Sequence, residues 1–275
     1  MGNTGDNVRE LERLTYVQAR RFIDERPAII VPLGGCEPFG GVGALGVESY
    51  CAAGIAKELS LRCGVLAAPV IPFGCSTPFI GFAGAAGLKP RTFVNMLCDI
   101  LHAYIFQGVE KIFLVNAAPF SGEPAAEAAK RLMSAHPRVT VLLFDINTVL
   151  RGDVKGGGGD NGCINVKPSG KSQQKDIDTG FCLDRDDALL LSIYAYLRQE
   201  NFDGIDQVVK KNIREEQYRT WKKRGADPQK LRKLFPDGLL LPPDFDINSA
   251  INSERGGENF LRIVELLQKE IDNIL

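Results

Sequence analysis

Four short apolar runs constrain this chain more than any other feature of its sequence. They are Ala28–Leu33 (AIIVPL), Val65–Val70 (VLAAPV), Lys111–Val115 (KIFLV) and Val139–Phe144 (VTVLLF). Each is almost continuously apolar instead of alternating, which is the pattern of a strand buried on both faces. Helical stretches lie between them, at Glu48–Arg62, Pro90–Gly108 and Gly122–Ala135. Pro90 suits a first helical turn and Gly108 suits a C-terminal stop. Strand and helix in alternation predict an α/β fold, with a mostly parallel sheet covered by helices on both faces.

After Phe144 the pattern breaks. Residues 151–180, with KGGGGDNG and KPSGKSQQKD, read as a flexible Gly-rich excursion within a single domain spanning 1–275. The four glycines do not make a phosphate loop, because no strand–loop–helix frame or GK[ST] ending surrounds them. Helix is expected again at Asp186–Glu200, where Asp184, Asp186 and Asp187 are explained by capping and the helix dipole. Residues 207–234 read as charged helix, PDGLLLPPD as an extended linker, and Glu254–Leu275 as an amphipathic helix.

Charge excludes some partners. The 33 Lys+Arg are matched by 34 Asp+Glu, a net charge of −1, so neither phosphate neutralisation on nucleic acid nor a polybasic membrane face is expected. No apolar run reaches the length of a membrane span, and the polar N-terminus has no secretory h-region. Seven cysteines, an odd number without CxxC spacing, fit a reduced cytoplasmic protein with neither a disulfide framework nor a thiolate zinc site.

In an open parallel sheet the site lies beyond the C-terminal ends of the strands. That rule selects Gly34–Gly41 (GGCEPFGG), Pro72–Gly84 (PFGCSTPFIGFAG) and Asn116–Glu123 (NAAPFSGE). Glu37 is the one carboxylate in an apolar, glycine-lined turn. It serves either as a functional group or as an acceptor of backbone N–H bonds within that turn. Cys36 beside it has no neighbouring histidine to make its thiolate, so it and Cys75 read as packing residues of tight turns.

The series LERLTYVQARRFI, VPLGGCEPFGG…LGVES, PVIPFGCSTPFIGFAGAAGLKPRT, FLVNAAP and SERGGENFLRIVELL resembles the creatininase family, in the family's order and over nearly the whole chain. Phe73–Thr92 is the closest block, similar to the family's YGxSxxHxGFPGTxSLxPxT. The resemblance implies a creatininase-like three-layer βαβ sandwich and a homo-oligomer, commonly a hexamer. It also implies hydrolysis of small amides, such as cyclic amides or formamides, at two divalent metals.

The site residues depart from that pattern. Against the family's GSxEQHGPHLPLGTD the Glu falls on Glu37, the first His on Phe39, the second on Val42 and the Asp on Glu48. The NGH turn falls on Asn116–Ala117–Ala118 and the HAG motif on Asp178–Thr179–Gly180. A later family glutamate has only Asp186 or Asp187 as counterpart, across a gap. The two histidines of the chain, His102 and His136, match no ligand position and read as structural or surface residues. Tight zinc sites are built mainly from His and Cys. Glu37 and Glu48 are therefore an all-oxygen metal set that would hold Mn²⁺, Mg²⁺ or Zn²⁺ weakly.

The expectation is a divergent hydrolase of a small polar amide or cyclic amide, or its reverse cyclisation. Glu37 and Asp178 are the catalytic residues, and Cys36, Phe39, Asn116 and Ala118 meet the substrate. Phe39, Val42 and Ala118 form an apolar floor that raises the pKa of Glu37, so that it works as acid and base without a metal. The alternative is a pseudoenzyme that keeps the fold and binds a ligand or scaffolds an assembly.

Overall fold

The computed structural model describes residues 9–39, 43–150, 185–199 and 250–275. Four parallel strands form one sheet in the order β2-β1-β3-β4: β1 Ala28–Leu33, β2 Leu66–Ala67, β3 Lys111–Asn116 and β4 Thr140–Asp145. Around them lie α1 Tyr16–Glu25, α2 Val47–Cys63, α3 Pro90–Phe106, α4 Gly122–Ala135, α5 Ile146–Leu150, α6 Arg185–Arg198 and α7 Ser253–Asp272.

Side chains alternate between two cores because successive strand residues point to opposite faces. Ile30, Phe113, Val115, Leu142 and Phe144 pack with α2, α6 and α7. Ile29, Val31, Leu33, Ile112, Leu114, Val141 and Leu143 pack with α3, α4 and Ile23 of α1. The result is three layers, helix on sheet on helix, as the apolar runs predict. On the first face the Phe113 and Phe144 rings stack, with centroids 6.3 Å apart and planes 6° from parallel.

The sheet's register decides where chemistry can sit. Leu33 pairs with Asn116 and Asn116 with Asp145, so β1, β3 and β4 end in one row and release their loops together. Strand β2 is two residues long where six were expected. Pro32 on the facing strand has no N–H to offer, so the ladder gives way to single bonds, Ala68 N–H to Ile30 O and Ile71 N–H to Pro32 O.

Helix ends follow local chemistry. Thr15 and Gln18 form a capping box that starts α1: the Thr15 side chain accepts from Gln18 N–H, and Gln18 Oε1 accepts from Thr15 N–H at 2.9 Å. Gly64 ends α2 in the left-handed region, φ 65°. Cys51 and Cys63 are buried on α2 and Cys98 is half-buried on α3, all free thiols among apolar neighbours as anticipated. Among the described residues no helix is long and apolar enough to cross a membrane. The expected excursion 151–180, the charged helix 207–234 and the linker after it lie outside the described residues.

The last helix docks through glycine. A Cβ on Gly256 would stand 1.9 Å from Ser192 O and 2.3 Å from Ser192 C, and one on Gly257 would stand 2.9 Å from the Tyr196 ring. The pair in SERGGENF thus lets α7 touch the backbone of α6. Ser192 completes the joint: its hydroxyl donates to Ala188 O at 2.7 Å and accepts from Asn252 N–H at 3.0 Å. Gly256→Ala must push the helices apart. It is expected to lower unfolding free energy by about 1–3 kcal/mol, read from urea denaturation, while an exposed substitution such as Glu258→Ala has little effect.

Candidate functional site

The loop leaving β1 lies directly against the start of α2. A Cβ on Gly34 would fall 2.5 Å from Ser49 Cα, and Ser49 Oγ donates to Gly35 O at 2.9 Å. A Cβ on Gly35 would fall 1.8 Å from Glu48 Oε2 and 3.5 Å from Glu37 Cγ. Gly35 thus leaves room for two carboxylate side chains beside it. The turn is pinned beyond them by Glu37 N–H to Leu45 O at 3.0 Å and Ala86 N–H to Cys36 O at 3.1 Å.

Glu37 is 5% exposed and Glu48 1%. Among the described residues Glu37 accepts no backbone bond of its own turn; its Oε1 accepts the Ser76 hydroxyl at 2.6 Å. Burial pushes Glu37 up to about 7, and the Ser76 bond opposes this by favouring the charged form. Glu48 lies well above the usual carboxylate range, first by burial and then by the nearby charges of Glu37, Asp187 and Cys36. Its Oε2 is buried without a hydrogen-bond partner. Its place in the first turn of α2 would favour the anion, but full burial outweighs a helix terminus.

The other two loops close on this turn. Gly74 packs against the first loop and the third at once, since its Cβ would stand 2.5 Å from Ser121 Oγ, 3.0 Å from Gly34 O and 3.3 Å from Ala118 Cβ. Ser121 Oγ accepts Cys75 N–H at 3.0 Å. Asn116, fully buried at the end of β3, donates from Nδ2 to Ala118 O at 3.0 Å and to Asp145 Oδ2 at 2.8 Å. Its Oδ1 is buried and unpartnered.

The structure therefore brings Glu37, Glu48 and Cys36 together. Cys36 is half-buried, and its thiol faces Gly84 O at 3.3 Å. Phe39 is buried in the core between the sheet and α2, and Ala118 is buried beneath Gly74. Asn116 is turned towards Asp145. Asp178 and Val42 lie outside the described residues. Ser76, Ser121 and Asp145 escaped the sequence reading as site residues. Asp187, read there as a capping residue and as one counterpart of a family glutamate across a gap, is one of the charges felt by Glu48. Ser76 carried a signal, because it lies in the second loop that the strand-end rule selects.

These features define a parallel α/β protein with a buried carboxylate pair where the strand ends meet. The creatininase profile, described as creatinine amidohydrolase, matches residues 12–176, and the chain belongs to the creatininase family. Solved creatininase structures share the fold. One mutant creatininase superposes with a TM-score of 0.65 at 14% identity, covering 97% of this chain and 98% of its own. A creatininase designated Mn gives 0.64 at 16%, covering 96% and 98%. A mutant of Zn–Zn type gives 0.62 at 17%, covering 96% and 97%. No curated protein sequence matches.

Among the described residues the donors do not make up a two-metal centre: no three His, Cys, Asp or Glu side chains converge on one point.

The carboxylate pair should appear in stability. The folded pKa of Glu37 is raised, so the native state holds more protons than the unfolded chain between about pH 4.3 and 7. Its contribution is fully present below that window and is lost as pH rises through about 7; Glu48 adds in the same direction. The urea midpoint is expected to fall from pH 5 to pH 8, and Glu37→Gln to flatten that fall.

Proposed function

We propose that the chain is a divergent amide hydrolase that opens a small polar amide or cyclic amide by metal-independent acid–base chemistry at Glu37. One observation carries the reading: Glu37 is a buried carboxyl that accepts the Ser76 hydroxyl and is pushed up to about 7 by burial where the strand ends meet. Family membership supplies the reaction class.

As carboxylate, Glu37 takes a proton from water as the water oxygen bonds to the amide carbon. As carboxylic acid, it returns that proton to the nitrogen as the C–N bond breaks. A pKa near working pH serves both steps. Burial keeps Glu37 basic, while Glu48 beside it is itself held towards its protonated form. Ring closure with loss of water follows the same path backwards. Cys36, Asn116 and Ala118 lie on the loops around this point, with Phe39 beneath. Asp178, by its family position, is the second acid–base candidate. The family likeness extends the reading to a cytoplasmic homo-oligomer, commonly six copies, with a small molecule as ligand.

A panel of cyclic amides and formamides, assayed on protein treated with chelator, tests this. Activity is expected to survive chelation. It should fall about 10²–10⁴-fold in Glu37→Gln and show a kcat/KM inflection near pH 7. Ser76→Ala removes the bond that favours the anion, so the inflection should move to higher pH. Activity lost on chelation and restored by Mn²⁺ or Mg²⁺ would overturn the metal-free mechanism. An inert protein that binds the same small molecules would establish the pseudoenzyme, the reading that buried Phe39 and Ala118 favour.

A further inference from the structure

The chain has two histidines, 34 positions apart in sequence, and the fold brings them together. The His102 and His136 ring centroids are 5.2 Å apart, with planes 34° from parallel. His102 is exposed on α3, beside fully buried Leu101. His136 is half-buried and caps the C-terminus of α4. Its backbone is fixed on both sides, His136 N–H bonding Leu132 O at 2.8 Å and Val139 N–H bonding His136 O at 2.9 Å. Helices α3 and α4 pack together, so both imidazoles are mounted on rigid, mutually fixed supports.

We propose that His102 and His136 form a two-imidazole binding site for a borderline transition-metal ion, Zn²⁺ or Cu²⁺, at the end of the sheet opposite Glu37. Three features support it. Two imidazoles bound to one tetrahedral ion through nitrogens at about 2.0–2.1 Å have ring centroids about 5 Å apart, close to the separation already present without a metal. His136 stands at the C-terminus of α4, where the backbone dipole favours positive charge. Imidazole nitrogen suits these ions, whereas Mg²⁺ and Ca²⁺ prefer oxygen. Among the described residues no third His, Cys, Asp or Glu completes the set, so water fills the remaining positions and affinity is modest. A bound ion bridges α3 to α4 and stabilises the native state by mass action.

Copper spectroscopy on tag-free full-length protein provides the decisive test. One equivalent of Cu²⁺ is expected to show the remote-nitrogen modulation of copper-bound imidazole, from two rings. With two histidines in the chain, that signal has one source. Zinc alone should raise Tm by about 2–4 °C and give one binding isotherm. Both effects should be lost in His102→Gln and in His136→Gln and kept in Glu37→Gln. Wild-type copper spectra without imidazole modulation, or with one ring per copper, would overturn the proposal. So would zinc binding that survives both histidine substitutions.

Discussion

The constraint on which the rest depends is the contact between the Gly34–Gly35 peptides and the first turn of α2. A side chain at either glycine would occupy space held by Ser49 or Glu48. With none there, the loop leaving β1 lies directly against the start of α2, and two carboxylates are shut away from water beside Gly35. Their proton affinity follows from that confinement. Among the described residues neither has a cation beside it, and Ser76 is the hydroxyl donor to the pair, so desolvation decides their ionisation.

Much of the fold was legible because strands buried on both faces must be apolar throughout. AIIVPL, KIFLV and VTVLLF could be placed within a residue. VLAAPV has the same composition, yet its ladder breaks where Pro32 of the facing strand lacks a backbone donor, a property of pairing that residue type alone conceals. The site was half legible. Glu37 stood out as a carboxylate among glycines, and the strand-end rule chose the loops that do converge. Asp187 stood out only weakly, as one counterpart of a family glutamate across a gap, because acidic residues at a helix start have a sufficient local explanation. The His102–His136 pairing was also hidden, since nothing in a single chain reveals which positions of two helices will meet.

The family's architecture persists here at 14–17% identity to its solved members. The physical basis is visible in the register. Ile29, Ile112 and Val141 form one row across the sheet, and Ile30, Phe113 and Leu142 the next, each facing its own helical layer. Such rows tolerate exchange among apolar residues of similar volume. At the strand ends packing also counts: Phe39 is buried in the core and Ala118 lies fully buried beneath Gly74.

The joint between α7 and α6 has a reach beyond its own packing. Gly256 meets Ser192 backbone to backbone, and a contact of that kind has no side chain to absorb displacement. Asp187 rides on the same helix as Ser192, little more than a turn away, and its charge acts on Glu48. The tail of the chain thus works as an adjusting screw: the seating of the last helix sets how far one negative charge stands from another at the opposite end of the sequence. Drift in residues that touch no substrate can in this way retune the proton affinity of the carboxylates.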